Sequence, residues 1–113
     1  MNTSDAREKL TVELQAVERA LNELGPRTES GWEASVGDID TSATEADEVA
    51  DRIEETEERQ DEVATLSVRR EEIVAALLAL DNGTYGVCRV CGAPIEEERL
   101  MANPAALTCI THA

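Results

Sequence analysis

The chain has 113 residues, with 25 acids against 10 bases for a formal net charge of −15, and only one Trp, one Tyr and no Phe. A chain this short builds one modest core, and so few aromatics argue against a sheet core, leaving helices with aliphatic seams. The acidity argues against general binding to duplex DNA or an anionic membrane, because both are driven by Lys and Arg.

No apolar stretch approaches the roughly 20 residues of a membrane span, and Met1 to Asp5 lacks the basic and apolar regions of a secretory signal. Three cysteines are an odd count for a disulfide framework, and reduced thiols suit the cytosol. These features lead us to expect a cytoplasmic protein. Solubility is the ordinary reading of most of its charges; a basic protein surface or a bound cation is the sharper one.

The first segment, about 5–24, carries Leu10, Leu14, Val17, Leu21 and Leu24 at alternating spacings of four and three, a single helical stripe. Asp5 followed by Glu8 resembles a capping box, and Gly25-Pro26 ends the helix. Residues 25–43 read as a loop in which Trp32, Val36 and Ile39 are the sizeable apolar residues; 19 residues is long for a connection.

The second helix is predicted over about 44–81, opened by Thr44 with Asp47 and closed by Asn82-Gly83. Ala46, Val49, Ile53, Thr56, Gln60 and Val63 share one stripe, which continues through Leu66, Ile73, Leu77 and Leu80. Two helices with complementary seams predict an antiparallel coiled-coil hairpin over 1–81. The second is the longer, so its acidic start projects past the first. Ten acids fall between Glu45 and Glu62 against Arg52 and Arg59, which ordinarily means a solvated face.

Beyond the hairpin, Cys88, Cys91, Cys109 and His112 form the pattern C-x2-C-x17-C-x2-H. Zinc takes four tetrahedral soft or borderline donors, and pairs two residues apart on tight turns supply them. Gly92 suits the knuckle turn after the first pair, since glycine accepts positive φ. Pro94 can open a short helix running to about Met101. Four protein donors close the coordination sphere, so we expect one structural Zn2+ in a module over 82–113. It substitutes for a hydrophobic core that so short a segment lacks. With no nucleophile–base pair and its one His committed to metal, the chain does not read as an enzyme.

Several motifs in residues 80–113 resemble the DksA/TraR family of bacterial transcription regulators. They are Gly83-Thr84-Tyr85-Gly86-Val87-Cys88, the C-x2-C-G knuckle, Pro94-Ile95, Glu97-Glu98-Arg99-Leu100, Pro104 before the third ligand and the x17 spacing. Many members carry Cys as the fourth ligand where this chain has His112. The resemblance implies a mainly α protein that binds RNA polymerase, not DNA, through its secondary channel. Acids at the hairpin tip then approach the catalytic centre. The family's tip motif is D-x-x-D-x-A; at the matching distance this chain has Glu45-Ala46-Asp47-Glu48-Val49-Ala50. Glu45, Asp47 and Glu48 are thus tip candidates, with Asp38 and Asp40 in the loop as substitutes. Members that respond to the alarmone ppGpp use basic residues around the finger. Several carry Arg where Asn103 stands here, which leaves Arg69, Arg70, Arg89 and Arg99 as candidates. The rival reading is a zinc-stabilised coiled-coil interaction or scaffold protein. A monomer is favoured.

Overall fold

A computed structural model describes residues 2–29, 31–34 and 46–112, with the side chains of 46–53 excepted. The fold is mainly α: an antiparallel helical hairpin followed by a small finger. In chain order it comprises α1 (Thr3–Leu24), β1 (Arg27–Thr28), β2 (Gly31–Trp32), α2 (Ala46–Asn82), α3 (Glu97–Ala102) and a closing 3-10 turn (Ile110–His112).

The cap of α1 is Asn2, not the Asp5 that the local pattern suggested. Its Oδ1 accepts the Ser4 N–H at 2.9 Å, and its carbonyl accepts the Ala6 N–H at 3.0 Å. An Asn side chain there satisfies one of the helix's orphan donors. At the far end of α2, Gly83 takes φ 75°. The Thr84 N–H reaches the Ala79 carbonyl at 2.9 Å and the Gly83 N–H reaches Leu80 at 3.4 Å. This paired closure needs a left-handed residue after the helix, which is why glycine ends it.

By compactness the chain divides into two units, 1–16 with 69–113, and 17–68. The first holds the start of α1, the end of α2 and the finger. Arg7 pairs with Asp81 at 2.8 Å and Glu13 with Arg69 at 2.7 Å, so the partner number falls as the α1 number rises and the helices run antiparallel. Ala6, Leu10, Ile73 and Ala76 are its fully buried helical side chains among the described residues. In the second unit, Val17, Leu21 and Val63 are buried.

Within the segment expected as a loop, β1 and β2 pair antiparallel, Arg27 with Trp32 and Thr28 with Gly31. The Arg27 guanidinium lies 4.7 Å from the Trp32 ring centroid, a cation–π contact. The indole N–H donates to Asn22 Oδ1 at 2.7 Å, tying the hairpin to α1. Val36 and Ile39 lie outside the described residues, as does Thr44.

Candidate metal centre

The finger is built on a knuckle. Gly86 to Cys88 runs against Ala93 to Ile95. The Cys88 N–H donates to the Ala93 carbonyl and the Ile95 N–H to Gly86, both at 2.8 Å, with a bridge between Val87 and Pro94. Gly92 closes the turn with φ 74° and gives its N–H to the Cys88 carbonyl at 2.8 Å. Pro94 therefore sits in the bridge, and α3 starts at Glu97. The Ile95 N–H is bonded across the bridge to the Gly86 carbonyl, which holds Pro94 and Ile95 outside α3.

Two links bring in the second pair. Arg89 N–H donates to the Leu107 carbonyl at 3.0 Å, and Arg99 Nε on α3 donates to the Thr108 carbonyl at 2.9 Å. His112 is placed by the 3-10 turn, whose N–H reaches the Cys109 carbonyl at 3.0 Å. Beneath lies a small cluster of Cys88, Ile95, Leu100, Ala106 and Cys109, with Tyr85 packed against it. The Tyr85 hydroxyl donates to the Pro104 carbonyl at 2.8 Å.

The donor atoms of Cys88, Cys91, Cys109 and His112 all lie within 4.8 Å of one another. Two sulfurs on a tetrahedral zinc stand about 3.8 Å apart, and a sulfur and a nitrogen about 3.6 Å. Here Cys91 Sγ to Cys109 Sγ is 3.7 Å and Cys88 Sγ to His112 Nδ1 is 3.8 Å, while Cys109 Sγ and His112 Nδ1 stand closer at 3.1 Å. The donor set and its spacing fit zinc. Cys88 and Cys109 are buried, whereas Cys91 and His112 are exposed.

The electrostatics of the cluster favour thiolate at Cys88 and Cys109. Backbone hydrogen bonds from Cys109 and Cys91 hold the Cys88 thiol down at about 6. His112 holds Cys109 below the usual thiol range, and Cys109 in turn raises His112. A backbone bond from Ala93 favours the Cys91 thiolate, yet its neighbours Cys88 and Cys109 push Cys91 up overall.

The sequence model of the prokaryotic dksA/traR C4-type zinc finger matches residues 83–111. This segment is a zinc finger of the dksA/traR type. Its zinc is structural, since the cluster offers four protein donors and needs no water to complete it. The DksA/TraR-type match ends one residue short of His112, the donor that stands where a C4 finger has its fourth Cys. The whole chain is similar in fold to transcription factor DksA2 from Pseudomonas aeruginosa. The TM-score is 0.59 at 24% identity, over 97% of this chain and 73% of that one. It is also 43% identical over 61 residues to YteA, an uncharacterized protein of Bacillus subtilis (strain 168). That match takes in 51% of this chain but only 26% of the relative.

Among the other sequence candidates, Glu45, Asp38 and Asp40 lie outside the described residues. Asp47 and Glu48 fall in the first turn of α2, where the backbone alone is described. Of the basic candidates near the finger, Arg69 and Arg99 are engaged internally. Arg69 holds Glu13 through two bonds of 2.7 and 2.9 Å, Glu72 at 3.1 Å and Asn103 Oδ1 at 3.0 Å. Asn103 Oδ1 also accepts the Ala105 N–H at 3.1 Å. No local pattern announces this network, because Arg69 and Glu13 are 56 positions apart. Among the described residues, no helix is long and apolar enough to cross a membrane.

Proposed function

We propose that this chain is a cytoplasmic, non-enzymatic regulator of transcription that binds RNA polymerase through the secondary channel and does not read DNA. The observation that carries the reading is the union of a dksA/traR-type finger at 83–111 with an antiparallel hairpin, in a chain whose fold is similar over 97% of its length to that of transcription factor DksA2. In this reading residues 1–81 are the hairpin and 82–113 the zinc module. One zinc is held by Cys88, Cys91, Cys109 and His112. Glu45, Asp47 and Glu48, with Asp38 and Asp40, are the acids carried toward the catalytic centre. A net charge of −15 supports a protein partner over nucleic acid. The commitment of Arg69 to Glu13, Glu72 and Asn103 supports activity without the alarmone ppGpp.

Zinc-loaded protein carrying a photo-cross-linker within 25–43 should bind core polymerase saturably and cross-link to residues lining the secondary channel. Cross-links confined to outer surfaces, or no saturable binding, would rule the reading out in favour of a zinc-stabilised interaction or scaffold protein.

A further inference from the structure

The two halves of the metal site are held in different ways. The first pair stands on its own backbone, because the bonds of the Cys88, Gly92 and Ile95 N–H groups all close within 86–95. The second pair has no such hairpin. Across 107–112 the local backbone bond runs from the His112 N–H to the Cys109 carbonyl at 3.0 Å. Further support comes from outside the segment. The Leu107 carbonyl accepts the Arg89 N–H at 3.0 Å, the Thr108 carbonyl accepts Arg99 Nε–H at 2.9 Å, and the Ile110 N–H reaches Glu96 Oε2 at 3.4 Å.

Two of these supports are side chains of α3. Glu96, at the N-cap, and Arg99 stand three positions apart, the spacing of neighbours on one helix face. They bond the residues immediately before and after Cys109. The Glu96 carboxylate makes no cap bond to its own helix and is turned to the second pair instead. Among the described residues no carboxylate pairs with the Arg99 guanidinium, whose bond is to the Thr108 carbonyl. That bond is part-buried, where water competes less with it.

We propose that Arg99 is a positioning residue for the zinc. It fixes the backbone that presents Cys109 and His112, and so sets how tightly the finger holds its metal. A ligand already held in place loses less freedom when metal binds. The Glu96 bond, longer than an ordinary N–H to oxygen contact, contributes less. The inference concerns the metal site and does not depend on the polymerase reading.

The test compares Arg99→Met and Arg99→Gln in the full chain. Met keeps the length of the side chain without a donor. Gln carries its amide N–H as many bonds from Cα as Arg carries Nε–H, and is neutral, so it keeps the bond without the charge. In competition with a chromophoric zinc chelator, Arg99→Met should hold zinc about 10- to 100-fold more weakly than the wild type, the range for groups that orient metal ligands. Arg99→Gln should stay within about threefold, since it retains the donor. Amide shifts of the zinc-loaded Arg99→Met protein should change over 107–112 and stay in place over 86–95. Wild-type zinc affinity in Arg99→Met would overturn the proposal. A loss in Arg99→Gln as large as in Arg99→Met would do so too, by assigning the effect to charge. Amide changes spread equally through 86–95 would also overturn it, by assigning the effect to the stability of the whole finger.

Discussion

At the cluster formed by Cys88, Cys91, Cys109 and His112, the chemistry is decided by a few backbone bonds. Because the Cys88 thiol sits at about 6 in the fold against an ordinary value of 9.0, its thiolate favours the folded finger. The sign follows from the lowered value. The contribution is complete above about 9, shrinks as pH falls and is gone below about 6. Protons compete with zinc for the same sulfurs, so acidification should also release metal. Metal analysis of protein purified without added zinc should give one equivalent per chain. His112→Cys should keep it, since thiolate and imidazole are both normal zinc donors. Cys91→Ser and His112→Ala should lose most of it and melt 84–113, while circular dichroism retains much of the helix signal. Full zinc content in both variants would remove these residues from the donor set.

Between elements, the contact of most consequence is Arg69. It joins α1 through Glu13, its own helix through Glu72 and the finger through Asn103, with its side chain only 26% exposed. The two-pronged bond to Glu13 and its partners raise the Arg69 pKa, so the charge is fixed. The Arg7–Asp81 pair is half exposed on both sides and adds little. Urea unfolding should show Arg69→Ala destabilised by about 1–3 kcal/mol, in the range of hydrogen bonds to charged groups. Arg69→Lys should recover only part, because an ammonium cannot bridge both Glu13 oxygens and still reach Asn103. If Arg69→Ala unfolds at the wild-type midpoint, the clamp contributes nothing. The sequence could not announce it, for long-range pairing leaves no periodic trace. The seams were legible: Leu10, Val17, Leu21, Val63 and Ile73 are buried as their spacing required. Gln60, placed on the same stripe, is exposed, while Ala6 and Ala76 are fully buried. Alanine's small side chain gives a weak hydropathy signal, yet it lets helices approach closely. Pro94 misled for a related reason, since lacking an N–H it suits a bridge as well as a first helical turn. The four metal donors were legible because zinc geometry imposes short, local spacings.

Over the molecule as a whole, charge and zinc are arranged unequally along the hairpin. The finger adjoins the apolar C-terminal third of α2, while the acids gather in its N-terminal half and in the segment before it. If the chain acts on polymerase as proposed, the finger and the Arg69 clamp form the rigid base, and the acids far along the chain from the zinc are the working end. Carboxylates that enter the channel can reach a catalytic magnesium, its water ligands or nearby basic residues. Magnesium retains water readily, so such influence needs no direct coordination. Glu45 and Glu48 are three positions apart in the sequence, and Glu48 falls in the first turn of α2. Glu45→Ala with Glu48→Ala should leave polymerase affinity within about twofold, a change of less than 1 kcal/mol. The same variant should abolish the effect of the protein on transcription in vitro. Joint loss of binding and effect would instead make these acids part of the docking surface. Unaltered regulation would exclude Glu45 and Glu48 as the working pair and move the test to Asp38 and Asp40. The zinc content and urea midpoint of the variant should match the wild type in every case, because the substitutions lie more than thirty residues before the first Cys donor.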